Sequence, residues 1–199
     1  MNYPPFYDEV ESIKVKDPLS AMLHTFDNGE YIFNYIDAVK LSGHSCPTVA
    51  GAYIITLKGL QALYKGELAV RGNIKVAFKE DVQDGSAGVI ANVVTQITGA
   101  TDKSGFKGLN GKFKRHSLMS FNTNIKSSVQ FTRLDTGESV EVTYNPSSVA
   151  PNPDMEKLMQ KIMQTSATKD EIKEFGVLWQ DRVKRIFEKL DEVVAVEEL

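Results

Sequence analysis

Residues 46–64 read Cys46-Pro47-Thr48-Val49-Ala50-Gly51-Ala52-Tyr53-Ile54-Ile55-Thr56-Leu57-Lys58-Gly59-Leu60-Gln61-Ala62-Leu63-Tyr64, and their periodicity sets the architecture of the chain. Tyr53, Ile54, Leu57, Leu60 and Tyr64 recur at helical spacing, which predicts a helix from Pro47 to Tyr64 closed by Lys65-Gly66-Glu67. Proline suits the first helical position and holds the residue before it in an extended conformation, so Cys46 is the expected N-cap. Two residues earlier stands His44, after Gly43, which gives the backbone freedom just ahead of the pair. On an extended turn the His44 and Cys46 side chains fall on the same side.

Beyond this helix, Ile74, Val76 and Phe78 alternate with Lys75, Ala77 and Lys79, the pattern of a half-buried strand. Val89, Ile90, Val93, Val94 and Ile97 return to helical spacing, which predicts a second helix starting near Asp84-Gly85-Ser86 and stopping at Gly99. Residues 100–111 carry no hydrophobic period and read as a loop. Ser117–Phe121 reads as apolar and extended, and Val129–Leu134 and Ser139–Tyr144 read as a hairpin turned at Asp135-Thr136-Gly137-Glu138. Asn145–Pro153, with three prolines, is a linker.

Two helices follow it. Asp154 is the expected cap of the first, which should bury Leu158, Ile162 and a Met155/Met159/Met163 row. Thr168-Lys169-Asp170-Glu171 is a capping box for the second. Ile172, Phe175, Trp179, Val183, Ile186 and Leu190 form its apolar stripe, read as packing against the core or a partner subunit. Toward the N-terminus, Asp17-Pro18 opens a short helix with Leu19, Met22, Leu23 and Phe26 on one face, ended by Asp27-Asn28-Gly29. Tyr31–Tyr35 is aromatic and β-branched and reads as a strand; Asp37–Leu41 leads into the His44 turn. The expected fold is α+β, a mixed or antiparallel sheet packed with helices over residues 1–150, plus two C-terminal helices in 151–199.

Composition narrows the function classes. The chain has 199 residues, 42% hydrophobic and 25% charged, with a net charge of −3 and scattered Lys and Arg. It carries no electrostatic footprint for nucleic acid. Its apolar runs fall short of the ~20 residues that span a bilayer, and residues 1–16 lack the pattern of a signal peptide. A cytoplasmic protein away from membranes is the expectation. Cys46 is the single cysteine, which excludes an internal disulfide and a four-cysteine zinc finger.

Helix-start N–H groups favour a thiolate over a thiol, and a thiolate beside an imidazole suits zinc or another late first-row metal. Two such ligands belong to an open site rather than a closed structural one. The same pair also suits a metal-free thiol enzyme with Cys46 as nucleophile and His44 as its base. As a third alternative, the pair belongs to a non-catalytic accessory module. His24 and His116 read as ordinary surface or satisfied histidines, and Arg71, Lys114 and Arg115 as solvated charges. In the 99–111 loop, Gly105, Gly108 and Gly111 with Lys103, Lys107 and Lys112 lack P-loop spacing. They read as a surface loop; should it close over the His44/Cys46 cleft, Lys107 is the residue expected to face substrate.

Gly43-His44-Ser45-Cys46-Pro47 followed by Gly51-Ala52-Tyr53 resembles the G-H-x-C-P-G…G-Y signature of the FmdE family, named for its association with formylmethanofuran dehydrogenase. Thr98-Gly99-Ala100-Thr101, with the Gly/Lys-rich loop after it, resembles the family's T-G-C-T block, so the likeness covers roughly residues 35 to 145. The resemblance implies an α+β core, a homodimer, and a cleft that takes a divalent metal, zinc above all, at His44 and Cys46. It implies Cys46 as the reactive residue, Thr98, Thr101 and Lys107 toward a small one-carbon or redox-related ligand, and a place beside a larger enzyme complex. The chain departs from the pattern at Thr48, where the family has glycine, at Asn92, where an acid often stands, and at Ala100, which replaces a cysteine. The C-terminal zinc finger of some members is absent, so a dithiol mechanism is unavailable.

Overall fold

The computed structural model describes residues 2–199. In chain order the elements are β1 (Ile13–Lys16), α1 (Pro18–Met22), β2 (Glu30–Phe33), α2 (Tyr35–Ser42), α3 (Pro47–Tyr64), β3 (Ala69–Val70), β4 (Ile74–Phe78), α4 (Ala87–Thr98), β5 (Met119–Ser120), β6 (Val129–Arg133), β7 (Ser139–Tyr144), α5 (Asp154–Met163), α6 (Lys169–Glu188), α7 (Leu190–Val193) and β8 (Val194–Glu198). Single-turn 3₁₀ segments precede β1 and β2 and follow β7.

Everything is arranged about α3. Thirteen of its 18 residues are buried, because α4 and α2 lie along one side, a sheet along another, and α6 crosses a third. Small residues let the sheet approach. A Cβ at Gly59 would stand 2.7 Å from the Phe131 ring, and one at Gly51 would stand 2.2 Å from the Tyr144 ring. The sheet has five strands in the order β5-β4-β6-β7-β8, antiparallel except for the β4–β5 pair. Its register aligns Val76, Phe131 and Val140 in one row and Phe78, Val129 and Val142 in the next, all fully buried on the inner face. A smaller sheet, ordered β2-β1-β3, closes the other end of the core. The architecture is α+β with two mixed sheets.

Several expectations hold, and their chemistry is visible. Cys46 caps α3, Gly99 ends α4 in the left-handed region at φ 75°, and Thr168 and Glu171 form the capping box of α6. Others are corrected. Tyr31–Tyr35 is not one strand: β2 stops at Phe33, and Asn34 and Asp37 form a capping box that starts α2. Helix α1 is a single turn whose Met22, Leu23 and Phe26 are exposed instead of forming a buried face. Pro153, not Asp154, is the N-cap of α5; Asp154 is its first residue, and its N–H donates to Asn152 Oδ1. Met155 and Leu158 are buried, but Met163 and Ile172 are exposed. Two strands escape the pattern reading: β1, and β8, which brings the C-terminus back to pair with β7.

Arg71 and Arg115 are corrected most sharply. Neither is a solvated charge: Arg115 Nη2 donates to Asp17 Oδ1 at 2.7 Å and Arg71 Nη1 to Asp17 Oδ2 at 2.9 Å. Arg71 also donates to the Ile97 and Gln96 carbonyls and to Tyr31. Together they tie β1, the turn after β3, the end of α4 and the loop before β5 into one knot.

Candidate functional site: the turn between helices α2 and α3

Gly43 ends α2 at φ 74°, a conformation open to glycine, and the chain turns there toward α3. His44 is exposed. Its Nδ1 lies 3.0 Å from the Ser42 carbonyl, and because a carbonyl can only accept, Nδ1 carries the proton and Nε2 keeps its lone pair. Ser45 turns inward and is buried: its Oγ shares a 2.8 Å hydrogen bond with the Tyr35 hydroxyl. Its carbonyl accepts from Trp179 Nε1 at 2.9 Å and Gln180 Nε2 at 3.3 Å. Cys46 is extended, at φ −151° and ψ 170°, half-buried, and its Sγ accepts the Val49 N–H at 3.4 Å. With Ser45 facing in, its two neighbours face the opposite way, as alternation along extended backbone requires.

Two tyrosines frame the turn. Tyr144 lies flat on Gly51 and donates from its hydroxyl to the Pro47 carbonyl at 2.8 Å. Burial pushes the phenols of Tyr35 and Tyr144 well above the usual tyrosine range. Both therefore stay protonated and serve as hydrogen-bonding supports, not as bases.

The remaining residues singled out in the sequence lie elsewhere in the fold. Thr98 is fully buried; its Oγ1 donates to the Val94 carbonyl at 2.7 Å and accepts the Ala100 N–H at 3.1 Å. Thr101 Oγ1 sits between the Ser104 and Arg115 carbonyls. Residues 98–101 thus end α4 and seat Arg115, whose side chain lies over Gly99. Lys107 is exposed on the following loop. That loop ends in a tight hairpin at Asn110-Gly111, with Leu109 and Lys112 exchanging two 2.9 Å backbone hydrogen bonds. Asn110 and Gly111 both have positive φ, the type I′ geometry that an Asn-Gly pair favours. Among the described residues, no hydrogen bond joins Thr98, Thr101 or Lys107 to His44 or Cys46. Ala100 is fully buried. Pattern reading also missed Ser45, Trp179 and Gln180, since nothing in a local window marks a contact across more than 130 residues.

Among the described residues, no group of three or more His, Cys, Asp and Glu side chains gathers where it could hold a metal ion. The donor set at the turn is one imidazole nitrogen and one sulfur. Such a set fits a late first-row metal only as part of an open site, with other positions filled by water, a ligand or a second chain.

An α+β core with a His-x-Cys turn at the mouth of its central helix defines the class. The chain matches the family described as "FmdE, Molybdenum formylmethanofuran dehydrogenase operon" over residues 41–195, and it belongs to that family. Among solved structures it is similar to an FmdE-like protein of tungsten formylmethanofuran dehydrogenase from Syntrophus aciditrophicus. The identity is 13%, the TM-score 0.46, and the likeness covers 84% of this chain and 72% of the other. No curated protein matches the chain. No helix among the described residues is long and apolar enough to cross a membrane.

Proposed function

We propose that this FmdE-family chain binds a divalent transition metal, zinc or one like it, through His44 Nε2 and Cys46 Sγ, in an open site at the start of α3. The observation that carries the reading is the His44 ring: its Nδ1 is engaged by a backbone carbonyl, which leaves Nε2 as a fixed lone pair beside the cysteine. The metal, when bound, supplies Lewis acidity or an activated water to a small one-carbon or redox-related substrate. The chain's own residues hold the ligands: the α3 N-terminus favours the thiolate form of Cys46, and Tyr35 and Tyr144 fix the backbone on either side of it. Thr98, Thr101 and Lys107 enter this reading only if a ligand or second chain bridges from their loop to the turn.

The missing ligands come from a second copy of the chain or from a bound partner enzyme in the cytoplasm. Helix α5 packs against α6, and Met163, Ile172 and Val177 remain exposed there, apolar surface that suits a homodimer. A second reading, a non-catalytic accessory module, is favoured by Ala100, which puts a methyl group where the family pattern has sulfur. In both readings the pair binds metal.

Metal analysis on protein purified without a metal-affinity column tests this. The expected result is a stoichiometric divalent metal in the wild type, with severalfold less in His44→Ala and Cys46→Ala. Equal content in all three proteins would sink the reading.

A further inference from the structure

The residue between the two donors is anchored at both ends, and by different parts of the chain. Tyr35, from α2, holds the Ser45 side chain at 2.8 Å. Trp179 and Gln180, consecutive on α6, both aim N–H groups at the Ser45 carbonyl. Gln180 is itself oriented, because its Oε1 accepts from the Tyr7 hydroxyl at 3.0 Å. Tyr7 packs edge-on against Tyr35 with ring centroids 5.1 Å apart, so the shell closes on itself. Phe187, two turns further along α6, lies against the rings of Tyr35 and Tyr53 and fixes the helix over the core.

A carbonyl that receives two side-chain donors cannot rotate without losing both, and the peptide plane it belongs to joins Ser45 to Cys46. The orientation of Cys46 toward the Val49 N–H, and of His44 away from the core, is therefore set in part by α6. We infer that Trp179 and Gln180 are positioning residues for the His44/Cys46 pair, and that the C-terminal helix is part of the site rather than an appendage to it. This inference rests on the metal-binding reading for its consequence, but the geometry it asserts can be measured without metal.

The test uses the full chain carrying Trp179→Phe with Gln180→Leu, a change that keeps bulk and removes both N–H donors. Leu158→Ala, buried on α5 and remote from the turn, is the comparison that weakens the helical region without touching the donors. Two readouts are taken: zinc affinity by competition with a chromophoric chelator, and amide hydrogen exchange in metal-free protein. The double variant should lose about tenfold in zinc affinity, the usual scale for removing the partners that orient a metal ligand. Its Val49 N–H should exchange severalfold faster while Leu57 and Leu60, further along α3, keep their protection. Leu158→Ala should keep wild-type zinc affinity. If the wild type binds no zinc, the functional reading fails, and the exchange data alone decide the positioning role. Unchanged Val49 exchange in the double variant, faster exchange throughout α3, or undiminished zinc affinity where the wild type binds would each overturn it.

Discussion

Replacing Asp17 with alanine is expected to cost about 3–5 kcal/mol of stability, read as a lowered urea midpoint, because it strands two guanidinium groups. Asp17 and Arg115 are buried and Arg71 is largely so, and each oxygen of the carboxylate takes one arginine. The same carboxylate caps α1 by accepting from the Leu19 and Ser20 N–H groups. Arg115 has little room to move, since a Cβ at Gly72 would stand 1.7 Å from its Nη1. Burial by itself would raise the Asp17 carboxyl, but the Arg115 and Arg71 charges outweigh it and hold the group below the usual carboxylate range. A carboxyl lowered on folding contributes stability that is complete above its unfolded value, about 3.9, and is lost as pH falls through the folded one. The wild type should therefore lose this contribution only on acidification below about pH 4, and Asp17→Asn should lack that part of the acid slope. An Asp17→Ala midpoint equal to the wild type would mean that the knot does not hold the loop before β5 in place.

The second large effect concerns Gly59. Leucine there should destabilise the protein by about 3 kcal/mol, because its Cβ alone would lie 2.7 Å from the ring of Phe131 and 3.2 Å from Val142. Phe131 is fully buried in the centre of the sheet and has nowhere to retreat, so α3 must lift off the strands. Gly176, in the middle of α6, is the opposite case: nothing lies within 4 Å of a Cβ there. Gly176→Ala should stabilise by roughly 0.5–1 kcal/mol through helix propensity alone. The paired substitutions have opposite expected signs, so thermal melts of the two variants check the packing directly. A Gly59→Leu protein as stable as the wild type would contradict the close approach of helix and sheet.

How much of this was legible in the sequence depends on distance along the chain. The Cys46 cap, the α6 capping box and the 129–144 hairpin rest on residues within a few positions of one another, and local pattern is enough to read them. The Asn110-Gly111 hairpin tip carried an equally local signal that a purely compositional reading of the loop passed over. Helix α2 was hidden because Tyr35 and Ile36 continue the aromatic, β-branched run of β2, and only the Asn34/Asp37 box separates them. β1 and β8 are short strands at sheet positions decided by pairing with distant partners, β8 with β7 some fifty residues earlier. Charges misread as solvated, Arg71 and Arg115, are buried only because Asp17 waits 54 and 98 residues away. At the site, the two donors were readable and their anchor was not. Ser45 looks like a spacer until α6 is folded over it.

The central claim is that His44 and Cys46 together ligate a metal, and a cobalt(II) titration tests it most directly. Cys46 is the only sulfur of its kind in the chain, so a near-ultraviolet thiolate-to-cobalt charge-transfer band can come from nowhere else within one molecule. The account predicts that band in the wild type, its loss in Cys46→Ala, and at least tenfold weaker cobalt binding in His44→Ala. A wild type without the band, or a His44→Ala variant that binds cobalt as the wild type does, would contradict it.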